Sequence, residues 1–320
     1  MLHSQLIGCS GYLPKNVISN YELENSLDTT HQWITERTGI KQRHIANHNI
    51  QTSDLAILAT KELLKKHPLL NLDAIIVTTT TPDRHFPSIA CKVQKALFSQ
   101  NNIPAFDIQA VCSGFLYGLE IADNFIKSSK YKSILLISAE RMSTILNWEQ
   151  RNTAILFGDG AAAVLINKSE SNSESKIIDI ITHSNGAHYN ILQTTLIQDI
   201  LSGEKCNIEM KGQDLFKHAV TCMSNTINNL LNRNNLDVAK IKFIIPHQAN
   251  KRILDYVEKN MNICKGKIVA TVDRHANCSS ASIPLALDTL LQTNRLQKGD
   301  LIILVAFGAG LTWGGALIRW

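Results

Sequence analysis

The sequence predicts an α/β protein made of two similar halves, and three observations carry this. Apolar runs of strand length alternate with runs of helical period along the whole chain. The first half ends FGDGAAAVLI (157–166) and the second ends FGAGLTWGGALI (307–318). Each is Phe-Gly-x-Gly followed by a small-residue strand finishing in Leu-Ile. Both halves also hold a strand, a cysteine-containing turn of small residues (VCSG at 111–114, NCSS at 277–280) and an apolar helix. A duplicated α/β unit of this kind places one site at the junction of its halves.

The elements follow in order. Residues 5–9 read as the first strand, ended by Ser10 and Gly11. In the polar segment DTTHQWITERTGIKQRHIA (28–46), Trp33 and Ile34 taken alone read as the apolar face of a helix. Residues 53–66 have a helical pattern, and 74–80 (AIIVTTT) form a buried strand ended by Thr81-Pro82-Asp83. Phe86-Pro87-Ser88 leads into the helix IACKVQKALF. Residues 105–111 read as a short buried strand. The helix after it carries the stripe Phe115, Leu119, Ala122 and Ile126. A strand over 133–138 and a connection through Trp148 and Arg151 reach 154–166, which closes the first half.

The polar stretch 168–176 (KSESNSESK) predicts an exposed loop, and the division falls there, into 1–170 and 171–320. In the second half a helix covers roughly 213–232, with Phe216, Val220, Met223 and Ile227 on one face. A strand over 241–245 runs into Pro246-His247-Gln248-Ala249-Asn250. Residues 269–272 read as a strand, and HANCSSASIPLALDTLL opens a helix.

Composition narrows the class. The chain has 320 residues, 44% of them apolar and 18% charged, which suits a globular protein with one large or two medium domains. A net charge of +5, scattered along the chain, argues against nucleic acid and is compatible with an acidic protein partner. The seven cysteines (Cys9, Cys91, Cys112, Cys206, Cys222, Cys264, Cys278) are odd in number and form no CxxC. That argues against a disulfide framework or zinc cluster and for a reducing cytoplasm. His183, His188, His218 and His275 lack metal-ligand spacing, so no metal is expected. The first 14 residues are too short and polar for a signal peptide, and no run approaches the ~18 apolar residues of a membrane span.

Cys112, His247 and Asn277 stand where strands end, the edge at which open α/β sheets bind ligands. A cysteine carries acyl groups, and histidine and asparagine donate hydrogen bonds to a developing oxyanion. Cys112 at a helix N-terminus would gain thiolate character from the dipole and the unpaired N–H groups. Each residue also has a plain structural reading. Most free cysteines are small buried residues, ten other histidines exist, and asparagine is common in turns. By residue type alone the set also fits a papain-like hydrolase, but the local pattern around papain-type cysteines is absent. FGAGLTWGG is followed by the strand-like ALIRW rather than a helix, so it is not a dinucleotide loop.

The strings DTTHQWITERTGIKQRHIA, FPSIAC, FDIQAVCSGF, LFGDGAAAVL, PHQAN, RHANCSSASIP and AFGAGLTWGGALIR together resemble the β-ketoacyl-acyl carrier protein synthase III family. The resemblance covers essentially the whole chain. It implies a thiolase-like fold with two duplicated α/β halves layered α-β-α-β-α. It also implies a cytoplasmic homodimer that condenses a short acyl-coenzyme A, such as acetyl-coenzyme A, with malonyl-acyl carrier protein. No permanently bound cofactor is implied. Coenzyme A arrives as substrate, and phosphopantetheine arrives on the carrier protein.

Carried over residue by residue, the resemblance implies that Cys112 takes the acyl group while His247 and Asn277 stabilise the enolate formed as carbon dioxide leaves. The backbone N–H groups of Cys112 and Ala309 would form the oxyanion hole. Glycine is usual where Ala309 stands, and a positive φ there would be costlier for alanine. Trp33 and Arg151 would sandwich the coenzyme A adenine, with Thr29 and Arg37 nearby. Gly212, Phe216, Asn250 and Ile253 would line the pantetheine channel. Phe86 would reach across a dimer and limit acyl length. Lys217 and Arg252 would receive the carrier protein. The alternatives are a condensing enzyme of secondary metabolism with another acyl donor, and a non-catalytic acyl-binding subunit.

Overall fold

A computed structural model describes residues 2–68, 71–169, 173–263 and 266–320. Two sheets with matching strand patterns form its frame. The first runs Ser4–Tyr12, Asp159–Lys168, Ser133–Arg141, Ala74–Thr78, Ala105–Ile108. Its neighbours pair antiparallel, antiparallel, parallel, parallel. The second runs Lys176–Ser184, Thr312–Arg319, Leu301–Gly308, Phe243–Pro246. Its pairings are antiparallel, antiparallel, parallel. The repeat of the two closing strings therefore places Asp159–Lys168 and Thr312–Arg319 at equivalent positions, second in each sheet.

Helices Gly114–Lys127 and Ser282–Gln292 lie between the sheets and touch strands of both. The predicted stripe Phe115, Leu119, Ala122 and Ile126 is fully buried there, in one cluster with Ile76, Val164, Ile245, Ile302 and Ile318. The outer face of the first sheet is covered by Thr52–Lys66 and Ile89–Leu97, and that of the second by Gly212–Arg233 and Lys251–Asn260. The result is five layers, α-β-α-β-α. The strands Ala105–Ile108, Phe243–Pro246 and Leu301–Gly308 end at the junction and both central helices begin there, which is how distant residues reach one site.

Several boundaries differ from expectation for physical reasons. The first strand does not stop at Ser10–Gly11. It continues to Tyr12 because Gly11 and Tyr12 keep their pairing with Ala162 and Ala161. The strand expected over 105–111 ends at Ile108 and is only half-buried, because it lies at the sheet edge. Residues 269–272 form no strand. Ile268 makes a single bridge to Ile244, and Val272 already begins the short helix Val272–His275. The strand expected at 241–245 is Phe243–Pro246. Part of the expected loop 168–176, including the division at 170, lies outside the described residues, as does Cys264.

Leu119 touches the central layer from every side, so Leu119→Ala should destabilise the fold by about 2–5 kcal/mol. Urea unfolding measures this, as a lower midpoint with unchanged slope.

Candidate active site

Cys112 lies in the one-turn helix Val111–Ser113, between the strand Ala105–Ile108 and the helix Gly114–Lys127. The turn is made by Val111, at φ 46°, not by Gly114, which has ordinary helical angles. A β-branched residue in the left-handed region is strained by about 1–3 kcal/mol and persists only where its surroundings hold it. Those surroundings come from the other half. Ser113 Oγ donates to the Thr312 carbonyl at 3.0 Å, and the single Thr312 hydroxyl proton is shared between the Ala309 carbonyl of its own turn at 3.0 Å and the Ala110 carbonyl at 3.3 Å. A methyl group on Gly308 would sit 3.0 Å from the Cys112 amide nitrogen and 3.2 Å from its Cβ. A side chain there would make the Cys112 turn give way by a few tenths of an ångström.

His247 follows the strand Phe243–Pro246, and its N–H donates to the Val305 carbonyl at 2.8 Å, continuing the ladder. Its Nδ1 is 2.6 Å from Ser282 Oγ. Asn277 is held by a bridge to Phe157, with its N–H on the Leu156 carbonyl and its carbonyl accepting from Gly158. Its Oδ1 accepts from Ser279 N–H at 2.8 Å. With Oδ1 engaged on the backbone, Nδ2 is the end free to donate into the cavity that Asn277 lines.

One cavity is lined by Cys112, His247, Asn277 and Phe307 at its floor and by Gly212, Phe216, Asn250 and Ile253 along its wall. A second cavity shares Cys112, Phe157 and Leu192 with it. Its walls include Met142, Ile145, Leu192, Ile208 and Ala309. The sequence reading missed this chamber, because its polar and apolar residues are scattered along the chain from Thr80 to Thr312 and form no motif.

Ala309 thus faces the chamber beyond Cys112. The left-handed residue of its turn is Gly310 (φ 124°), so alanine at 309 adds no backbone strain. Trp33 and Arg151 are brought together, with the guanidinium 4.5 Å from the ring centroid and that of Arg37 at 5.4 Å. Arg151 is held there by the Asp28 carbonyl at 2.6 Å. A base between two stacked groups needs about 7 Å, twice a van der Waals contact, so Arg151 has to swing out to admit one. Thr29 is half-buried on the adjoining turn. Lys217 and Arg252 are exposed on the two outer helices flanking the first cavity. Phe86 lines neither cavity of its own chain. It stands 83% exposed.

Burial sets the charge states. It pushes the Cys112 thiol up to about 12, with the Ser279 hydroxyl beside it pulling the other way and the Glu140 carboxylate adding to the rise. By this shift the thiol, not the thiolate expected at the helix N-terminus, is the resting form, because burial penalises the charged form. Burial also brings His247 down to about 4, so the imidazole is neutral. Glu140, fully buried, accepts from Thr80 N–H (2.9 Å), Thr81 Oγ1 (3.0 Å) and Ser280 Oγ (2.7 Å). It ties the turn after Asn277 to the first sheet. Gln248, also fully buried, uses its whole amide. It donates to the Pro246 and Val269 carbonyls and accepts from Thr271 and Val272 N–H. Neither residue was singled out by the sequence, since a buried carboxylate or amide looks like any polar residue until its partners are known. Among the described residues, no group of three His, Cys, Asp or Glu side chains is placed to hold a metal.

A thiol with this high a pKa predicts that iodoacetamide alkylation of Cys112 climbs about tenfold per pH unit between pH 7 and 9. A plateau near neutral pH would show a stabilised thiolate instead.

Comparison with known proteins agrees with this geometry. The profile for 3-oxoacyl-[acyl-carrier-protein (ACP)] synthase III matches residues 106–186, and that for its C-terminal region matches 231–320. The beta-ketoacyl-[acyl-carrier-protein] synthase III of Rickettsia bellii is 48% identical over 318 residues, 99% of each chain. The crystal structure of 3-oxoacyl-[acyl-carrier-protein] synthase III from Aquifex aeolicus superposes with a TM-score of 0.93 at 41% identity, covering 99% of this chain and 100% of the other. That from Pseudomonas aeruginosa gives 0.94 at 34% identity, covering 99% and 98%. Full-length identity at this level shows that the chain belongs to the 3-oxoacyl-[acyl-carrier-protein] synthase III family.

Proposed function

We propose that the chain starts type II fatty acid synthesis by condensing a short acyl-coenzyme A with malonyl-acyl carrier protein to a 3-oxoacyl-acyl carrier protein. The observation that carries this is the meeting of two cavities at one cysteine, with His247 and Asn277 on the channel side. In the first step the Cys112 sulfur attacks the thioester carbonyl. The backbone N–H groups of Cys112 and Ala309 receive the oxyanion, and coenzyme A leaves with the proton that the thiol gives up. The acyl chain occupies the apolar chamber of Met142, Ile145, Leu192 and Ile208.

In the second step malonyl-acyl carrier protein enters the channel of Gly212, Phe216, Asn250 and Ile253. Its thioester oxygen accepts from His247 and Asn277. The carbon–carbon bond to the carboxylate breaks, carbon dioxide departs, and the electron pair becomes an enolate held by those donors. That carbon attacks the acyl-cysteine, and Cys112 leaves as thiolate and takes up a proton. No carboxylate base is needed, because decarboxylation generates the carbanion. The neutral imidazole supports a donor role, since it carries an N–H without giving its proton away. The pair that a papain-like hydrolase uses, thiolate with imidazolium, would need the Cys112 and His247 shifts to run the other way.

Trp33 and Arg151, with Thr29 and Arg37 beside them, grip the adenine once Arg151 opens. Lys217 and Arg252 meet the acidic carrier protein at the channel mouth. The chain divides near residue 170, each half supplying part of the site. A homodimer accounts for the exposure of Phe86, which would enter the partner's acyl chamber. No helix among the described residues is long and apolar enough to cross a membrane. The six described cysteines are unpaired, which fits a reducing cytoplasm.

The test separates the half-reactions. Wild type should release carbon dioxide from malonyl-acyl carrier protein and form the product from acetyl-coenzyme A. His247→Ala should lose the first activity by about 10²–10³-fold. Phe86→Ala, run across an acyl panel, should admit longer chains. Decarboxylation undiminished in His247→Ala would sink the proposed roles.

A further inference from the structure

We propose that Ser282 is a positioning residue whose hydroxyl donates to Nδ1 of His247 and so holds the single imidazole proton on Nε2. The argument is a proton count around one buried oxygen. Ser282 Oγ has one proton to give and two lone pairs to fill. It lies 2.6 Å from His247 Nδ1 and 3.3 Å from the Gln248 backbone nitrogen. The Gln248 N–H can only donate, so it takes one lone pair. Among the described residues, Oγ has no third partner.

Two arrangements remain. If Nδ1 carried the ring proton and donated to Oγ, both lone pairs would be filled. The hydroxyl proton would then be left without an acceptor in a site where Ser282 and His247 are almost wholly buried. Buried polar groups are rarely left in that state. If instead Oγ–H donates to Nδ1, the hydroxyl proton has its acceptor and the ring proton resides on Nε2, on a side chain that lines the open cavity rather than sealed protein. Burial supports this count by keeping the imidazole neutral, with one proton to place.

The frame does not let the count relax. The Gln248 side chain is fixed by four hydrogen bonds, two to carbonyls and two from N–H groups, so its own peptide N–H cannot turn away. Ser282 is the first residue of the helix Ser282–Gln292 and is placed by that helix. The consequence for catalysis rests on the condensation reading, but the tautomer does not. An Nε2–H is a donor for the enolate oxygen. The other tautomer would present a lone pair to it and repel it.

The experiment is ¹⁵N NMR of the full chain labelled at histidine, with His247 assigned by difference from His247→Ala. The wild type should show a protonated Nε2 and an acceptor-type Nδ1. Ser282→Thr should keep that signature, and Ser282→Ala should lose it. Alongside, malonyl decarboxylation should fall about ten- to a hundredfold in Ser282→Ala and return in Ser282→Thr. Acylation of Cys112 should fall far less than decarboxylation, which a general loss of structure would not produce. A proton on Nδ1 in the wild type overturns the proposal, as does a Ser282→Ala protein with unchanged tautomer. An Nε2–H signature in a wild type that decarboxylates nothing supports the proposal and counts against the condensation reading alone.

Discussion

The site depends on one close approach, that of the Cys112 turn to Gly308. The end of the second sheet's inner strand comes so near the cysteine backbone that a methyl group there would lie 3.0 Å from an amide nitrogen. Around that contact Ser113 donates across the junction to the Thr312 carbonyl, and the Thr312 hydroxyl lies between the Ala309 and Ala110 carbonyls. The strain at Val111 is sustained by it. The nucleophile of the first half is thereby placed against the donors of the second, and two cavities are made to meet at one sulfur.

The charge states follow from the same closeness. Cys112 and His247 are almost wholly buried at this junction, and desolvation penalises ions. The cysteine rests as thiol and the histidine as neutral imidazole. The buried carboxylate Glu140 is surrounded by three donors and serves as an anchor. A site of neutral donors suits a reaction in which charge appears only as carbon dioxide departs.

Much of this was legible in the sequence. Period 3.6 gave the buried stripe of the central helix, because Phe115, Leu119, Ala122 and Ile126 face apolar neighbours on both sides. The repeated closing strings gave equivalent strands. Strand-end position gave Cys112 and His247, and residue type gave Asn277 although a short helix rather than a strand precedes it; all three line one cavity. What was not legible depends on partners distant in sequence. The thiol's state is set by burial, while the local pattern shows only a helix start. The turn is made by Val111, whose unfavourable backbone is held by residues some 200 positions away. Val269 to Val272 has strand composition but finds only a single bridge, at Ile268. Ser282, Gln248 and Glu140 carry no motif, and their roles exist only as hydrogen-bond geometry.

The most direct test of the central claim, that Cys112 carries the acyl group, is the intact mass of the protein after incubation with acetyl-coenzyme A and with longer and branched acyl-coenzyme A donors. One acyl adduct, absent from Cys112→Ala, is the expected result. An adduct that survives in Cys112→Ala, or none from any donor, would contradict it.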